Sequence, residues 1–180
     1  YLVTRPDVPV KDAQEFIEHA RKNPGKLTYA SPGNGSTPHL AGEMLNAAAG
    51  LQTLHVPYRG AAPGMVDLLA GQVDYMFDPG IGLGHVRDGK LRLLATYGSK
   101  RTKRWPTVPT LDELGYKTVS DSPFGVCGPK GMDAGLTKTL HDAFRKTLDD
   151  PAVIATFDKF DQTVIYMTTE TYTKWARETY

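Results

Sequence analysis

Tyr29-Ala30-Ser31-Pro32-Gly33-Asn34-Gly35-Ser36-Thr37-Pro38-His39-Leu40 is the stretch whose reading decides the fold. Residues 27–30 form an apolar and aromatic run bounded by turn residues, which predicts a strand. Ser31, Pro32, Gly33, Asn34, Gly35 and Ser36 are small or turn-forming and cannot continue it. Thr37 before Pro38 reads as an N-cap followed by the first helical position, where the missing proline N–H costs nothing. The spacing thus predicts a helix over 39–49 whose unpaired N–H groups point back into the loop. Free donors and the positive end of the helix dipole coincide at such a start and attract anions. Two readings fit this spacing, a cradle for a carboxylate and a tight β–α connection without a ligand.

The same alternation continues outward. On the N-terminal side, 1–4 reads as a short strand stopped by Arg5-Pro6, and 10–22 carries Val10, Ala13, Phe16, Ile17 and Ala20 at helical spacing. On the C-terminal side, 53–56 is a strand, Pro57-Tyr58-Arg59-Gly60 a turn and 62–70 a helix. Then come a strand at 73–77 ended by Asp78-Pro79-Gly80, a short helix at 81–86 and a strand at 91–96. This order predicts parallel βαβ units, an α/β sheet with helices on both faces. Ligands of such sheets sit beyond the carboxyl ends of the strands, so the Gly-rich loop and Asp78 are expected at one pocket. From 98 to 109 the chain turns polar and Pro-containing, a crossover, followed by one helical turn at 110–114. Segments 118–119 and 124–126 are strand-like. A strongly amphipathic helix spans 133–148, with Leu136, Leu140, Phe144 and Leu148 four apart. Another helix starts at Pro151, a strand is predicted at 163–167, and a helix at 169–179.

Composition narrows the function classes. With 180 residues, 40% apolar and 23% charged, the chain can build a core without disulfides or metals. A net charge of +1 and the lack of a long basic run point away from nucleic acid and anionic membrane surfaces. The single cysteine, Cys127, precludes an internal disulfide and a cysteine-based zinc cluster, and reads as a buried thiol. No apolar run approaches the about 18 residues of a spanning helix, and these residues contain no signal peptide. No cofactor is expected: Pro38 stands where a dinucleotide fingerprint needs its third glycine, and no acid follows about 20 residues on. His39 and Glu43 lie four apart, as a metal-ligand pair without a third member or as a helix-surface pair. His19, His55, His85 and His141 read as surface or packing residues, and Trp105 and Trp175 as packing residues. Asp78 reads either as an acceptor for a ligand donor or as a turn residue before Pro79-Gly80. No Gly-x-Ser-x-Gly elbow occurs, which disfavours a serine nucleophile.

A set of motifs in family order now carries a resemblance. It comprises Tyr29-Ala30-Ser31, Gly33-x-Gly35-Ser36, His39-Leu40, Glu43, His55-Val56-Pro57-Tyr58-Arg59-Gly60 and Asp67-Leu68-Leu69-Ala70-Gly71-Gln72-Val73-Asp74. Gly89-Lys90-Leu91-Arg92-Leu93-Leu94-Ala95, Arg101, Val108-Pro109-Thr110, Glu113-Leu114-Gly115 and Gly128-Pro129-Lys130-Gly131 continue it. The set resembles the tripartite tricarboxylate transporter receptors, the Bug or TctC proteins. The resemblance implies a type II periplasmic-binding-protein fold of two α/β lobes that close on a small organic acid. It also implies delivery of that acid to integral membrane transporter subunits, with no enzymatic step. One complete lobe is expected at 5–97, a crossover at 98–122, and a partial first lobe from 1–4 and 123–180. The resemblance implies a further segment ahead of Tyr1, holding the signal peptide, most of the first lobe and a second carboxylate loop.

The loop reading and that resemblance together give Ser31, Gly33, Asn34, Gly35, Ser36, Thr37 and His39 as ligand residues, with Tyr58 and, from its place at a strand end, Asp78 as wall residues. The ligand class is a di- or tricarboxylate, an acidic amino acid or an aromatic acid. Phe124 stands near where the family carries a tryptophan and is the candidate ligand-wall aromatic. An uncovered first lobe leads to the expectation of a homodimer with swapped C-terminal helices. The alternatives are a dimeric interaction or sensor module with altered or lost ligand binding, and an α/β enzyme using His39/Glu43 or Asp78.

Overall fold

The computed structural model describes residues 1–98, 100–118, 124–162 and 164–179. They fall into two compact units, Tyr1–Ser122 and Pro123–Tyr180. The first is built on a five-stranded sheet of β1 (Leu2–Thr4), β2 (Thr28–Ser31), β3 (Leu54–Pro57), β4 (Tyr75–Phe77) and β5 (Arg92–Ala95). Its order is β3-β2-β4-β1-β5. β2 pairs in parallel with β3 and β4, whereas β1 runs antiparallel between β4 and β5. The four strands after β1 therefore point one way, as helical crossovers require. The connecting helices are α1 (Ala13–Lys22), α2 (Thr37–Ala49), α3 (Ala61–Leu69) and α4 (Leu83–Arg87). Leu2–Thr4, grouped from sequence with 123–180, is a member of this sheet. All three of its residues are buried, which a strand achieves only with a neighbour on each side and a layer on each face.

Strand alternation builds two cores. Leu2, Tyr29, Tyr75, Phe77 and Leu94 point to the face covered by Phe16 and Ile17 of α1 and Ala41 and Leu45 of α2. Val3, Ala30, Met76 and Leu93 point to the opposite face, under Met65 and Leu68 of α3. Successive side chains leave a strand on opposite sides, so both faces of a sheet covered by helices must be apolar. In register across β3, β2 and β4 lie His55, Tyr29 and Tyr75. The Tyr29 ring stacks on Tyr75 with centroids 5.3 Å apart and lies 4.9 Å from His55. Gly42 lets α2 settle onto this row, since a Cβ there would sit 2.5 Å from the Tyr29 ring.

The stretch from Trp105 to Leu111 is docked on the sheet. Thr96 and Thr110 form a parallel bridge, Leu111 is fully buried, and Trp105 and Val108 pack on the α3 face. Residues 111–115 form a hydrogen-bonded turn where one helical turn is expected, the Leu114 and Gly115 N–H groups donating to the Leu111 and Asp112 carbonyls at 3.1 and 3.0 Å. Thr110 Oγ1 accepts the Glu113 N–H at 3.1 Å, and Glu113 Oε2 accepts the Thr110 N–H at 2.9 Å. Arg101 donates to both Glu113 oxygens, at 3.0 and 2.8 Å.

The second unit contains α5 (Ala134–Leu148), α6 (Pro151–Lys159) and α7 (Thr169–Thr179). Asp133 and Asp150 cap the first two by accepting the N–H groups of Leu136 and Ala152. Residues 124–126 and 164–167 are irregular, not strands as expected, because the described residues of this unit offer them no strand to pair with. Cys127, expected buried, is exposed, within an irregular segment whose residues 124–130 are all exposed. The expectations at Val119, 120–123 and Thr163 lie outside the described residues.

Candidate functional site

The carboxyl ends of β2, β3, β4 and β5 share one edge of the sheet. The β2–α2 loop occupies it. The N-cap of α2 is Ser36, one residue before the expected Thr37, and Thr37 and Pro38 are already helical. Ser36 Oγ accepts the His39 N–H at 3.4 Å and donates to the Gly33 carbonyl at 2.7 Å. The Ser36 N–H closes on the same carbonyl at 3.2 Å. Gly33 at φ +140° and Gly35 at φ +75° occupy backbone regions that favour glycine, so these two positions shape the loop. The Gly60 N–H donates to the Pro32 carbonyl at 3.1 Å and the Tyr58 N–H to the Ser31 carbonyl at 3.0 Å, tying the loop to the next strand.

Beneath the loop lies a cluster that composition did not reveal. Ser31, fully buried, places Oγ 2.6 Å from His55 Nε2. His55 stacks on His39 with centroids 4.1 Å apart. His39 Nδ1 in turn accepts the Gly35 N–H at 3.1 Å. The Tyr29 hydroxyl donates to Glu43 at 2.7 Å. Burial, and then the Glu43 carboxylate beside it, raise the Tyr29 phenol well above its usual range. Burial, followed by the neighbouring His39, lowers the His55 imidazole below its usual range, against a smaller pull from Glu43. The Ser31–His55 contact has the reach of a nucleophile and its base, and the Ser31 Oγ lies fully buried beneath the loop. His39 and Glu43 do not acquire a third metal ligand: among the described residues no group of three metal-ligating side chains occurs.

The remaining expected residues fall in different places. Asn34 is exposed at the loop tip, and Thr37 is half-buried at the helix start. The Gly33, Gly35 and Ser36 N–H groups are engaged within the loop and its support, leaving the tip as its outward part. Tyr58 turns its hydroxyl to Asp67 at 2.7 Å, and its phenol is pushed up to about 12 by burial and that carboxylate. Asp78 is fully buried at the end of β4, with Oδ2 accepting the Gly82 N–H at 2.9 Å. Burial raises its carboxyl above the usual range, and its Oδ1 has no hydrogen-bond partner. Phe124 is 83% exposed in the second unit, where Gly125 makes room for the Tyr172 ring. From the sequence His55 reads as a surface or packing histidine and Tyr29 as part of a strand and of a family motif, without their places beneath the loop.

The lowered His55 has a consequence for stability. The unfolded chain takes up this proton near pH 6.5 and the folded chain only at lower pH, so folding releases protons in that window. The stability associated with His55 is complete above about pH 6.5 and is lost as pH falls below it. In urea titrations, the loss of unfolding free energy from pH 7 to 5.5 should be smaller for His55→Gln than for the parent chain. Equal losses in both would contradict the buried, neutral state.

Comparisons with known proteins agree with this architecture. The family model of the tripartite tricarboxylate transporter family receptor matches residues 1–180. The UPF0065 protein in the gbd 5′ region of Cupriavidus necator is 46% identical over 99% of this chain, and the match covers 54% of that protein. A solved structure of a periplasmic transporter superposes with TM-score 0.89 at 32% identity, covering 98% of this chain and 60% of that one. The malate-bound protein MatC of Rhodopseudomonas palustris gives TM-score 0.86 at 26% identity, covering 98% of this chain and 62% of that one. The chain thus spans about half the length of the curated relative and somewhat more of the solved chains. Among the described residues no helix is long and apolar enough to cross a membrane. With the family pattern running the full 180 residues over a parallel-rich sheet, the chain belongs to the tripartite tricarboxylate transporter receptor family.

Proposed function

We propose that these residues are the ligand-holding part of a periplasmic solute receptor, that the ligand is a small organic acid, and that loop 31–37 holds one carboxylate. The observation that carries this reading is the loop. It opens at the carboxyl edge of parallel strands and starts a 13-residue helix. It is braced from below, so that Asn34 and Gly35 face solvent. With the Gly33, Gly35 and Ser36 N–H groups spent on bracing the loop, the tip presents exposed Asn34 at a helix start, which suits an anion and commits no charged side chain. The malate-bound relative supports a di- or tricarboxylate over other acids; acidic amino acids and aromatic acids belong to the same class of probe. Thr37 and Asn34 supply side-chain contacts. Asp78 and Tyr58 act from behind, Asp78 as the anchor of the β4–α4 turn and Tyr58 by tying the loop to β3. Delivery to integral membrane subunits completes the proposed role. Calorimetric titration with malate, citrate, glutamate and benzoate tests it: at least one should bind saturably. A folded sample that gives no heat with any of the four overturns it.

A second reading, in which the chain also pairs with a copy of itself, rests on the second unit. Leu136, Leu140 and Phe144 repeat at a spacing of four along α5 and are 49%, 42% and 48% exposed. A copy of the chain exchanging its C-terminal helices would cover this stripe, and larger apolar faces of this kind mark contact surfaces. Light scattering should then give twice the chain mass; a monomer at all concentrations speaks against pairing.

A further inference from the structure

The loop's support contains one hydrogen bond that depends on protonation. His39 is the third residue of α2, and its Nδ1 accepts the N–H of Gly35, the residue before the N-cap. Ser36 Oγ accepts the His39 N–H in return. This is the reciprocal arrangement of a capping box, with an imidazole where glutamate or glutamine usually stands and with its bond moved one residue outward. An imidazole nitrogen accepts only while it carries no proton, so the bond fixes His39 as the neutral tautomer with hydrogen on Nε2. Resting on the carboxylate reading above, we propose that His39 is a positioning residue: it does not contact the ligand, but latches Gly35 so that the loop tip is preorganised, and protonation releases the latch.

The surroundings hold the latch in place. The groups facing His39 are His55 on β3, stacked at 4.1 Å, Tyr29 on β2, whose hydroxyl lies 3.3 Å from the His39 carbonyl, and Glu43 one turn along α2. Glu43 is held by Tyr29 and not by either imidazole. His55 is braced against buried Ser31, so the His39 ring has a fixed floor and its Nδ1 a fixed aim. Protonated His39 would set two N–H donors against each other across 3.1 Å. Imidazole is the side chain whose unperturbed charge change lies between pH 5 and 8.

The test uses the full 180-residue chain. Nitrogen-15 NMR of the histidine rings and of the Gly35 amide from pH 7.5 to 5.5 reads the latch without ligand. His39 should be the Nε2–H tautomer at pH 7.5, and the Gly35 amide proton should titrate with it. With malate as probe, affinity should fall about tenfold from pH 7.5 to 5.5, the loss of one organising hydrogen bond. His39→Gln, whose amide oxygen can take the same N–H at any pH, should lose most of that dependence. His39→Ala should be about tenfold weaker throughout. A Gly35 amide indifferent to His39, an affinity that rises on acidification, or a Gln variant with the parent's slope would each overturn the proposal. If malate fails to bind at every pH, the carboxylate reading fails for malate, and the Gly35 titration still decides the latch.

Discussion

Gly33→Val should weaken carboxylate binding by about 10- to 100-fold and leave the fold intact. Gly33 sits at φ +140°, a region essentially closed to residues with a Cβ, and holding such a residue there costs about 1–3 kcal/mol. Even the first added carbon would lie 3.4 Å from the Tyr58 carbonyl, with valine's branches beyond it. The loop relieves this by moving, and Gly33 is the residue whose carbonyl receives both the N–H and the hydroxyl of Ser36. A displaced Gly33 therefore carries the N-cap, and with it the donors of the tip. The cores are elsewhere, under α1, α2 and α3, so thermal unfolding should remain cooperative. Calorimetry with the best-binding acid reads the effect; unchanged affinity would mean that the loop does not hold the ligand.

The second large effect is on stability. Tyr29→Ala should cost about 3–5 kcal/mol of unfolding free energy, the range for truncating a large buried aromatic. The ring is fully buried, stacks on Tyr75, meets Phe77 edge-on with centroids 6.2 Å apart and fills the space that Gly42 leaves open. Tyr29→Phe keeps all of that and removes only the hydroxyl, whose partner Glu43 is exposed and can turn to water. It should cost about 1 kcal/mol. Urea unfolding of the pair separates packing from hydrogen bonding. If the two variants are equally destabilised, the tyrosine serves chiefly as a hydrogen-bond donor and not as the floor of the loop.

Much of the first unit is legible in the chain because glycine and proline punctuate it. Asn23-Pro24-Gly25, Gly50, Gly71 and Asp78-Pro79-Gly80 end elements close to where the sequence places them. Apolar spacing in 10–22 finds the buried face of α1, Ala13, Phe16, Ile17 and Ala20. Pairing direction is not local, so nothing in Leu2-Val3-Thr4 announces an antiparallel strand between β4 and β5. Extended propensity is equally silent about partners, which is why 124–126 and 164–167 look like strands and are irregular. At the site, the composition of the loop is informative and its support is not. His55 becomes a neighbour of Ser31 and His39 only through the parallel register that sets it opposite Tyr29. The available clue was the parity of β3: in 53–56, His55 stands where an alternating strand faces the core shared with Tyr29.

The location of the ligand is tested most directly by the backbone amides of the loop. In a nitrogen-15 labelled sample titrated with malate, the largest saturable shifts should fall on Asn34, Gly35, Ser36 and Thr37, with one common dissociation constant. Saturable binding that leaves these four amides unmoved would contradict a carboxylate held by this loop.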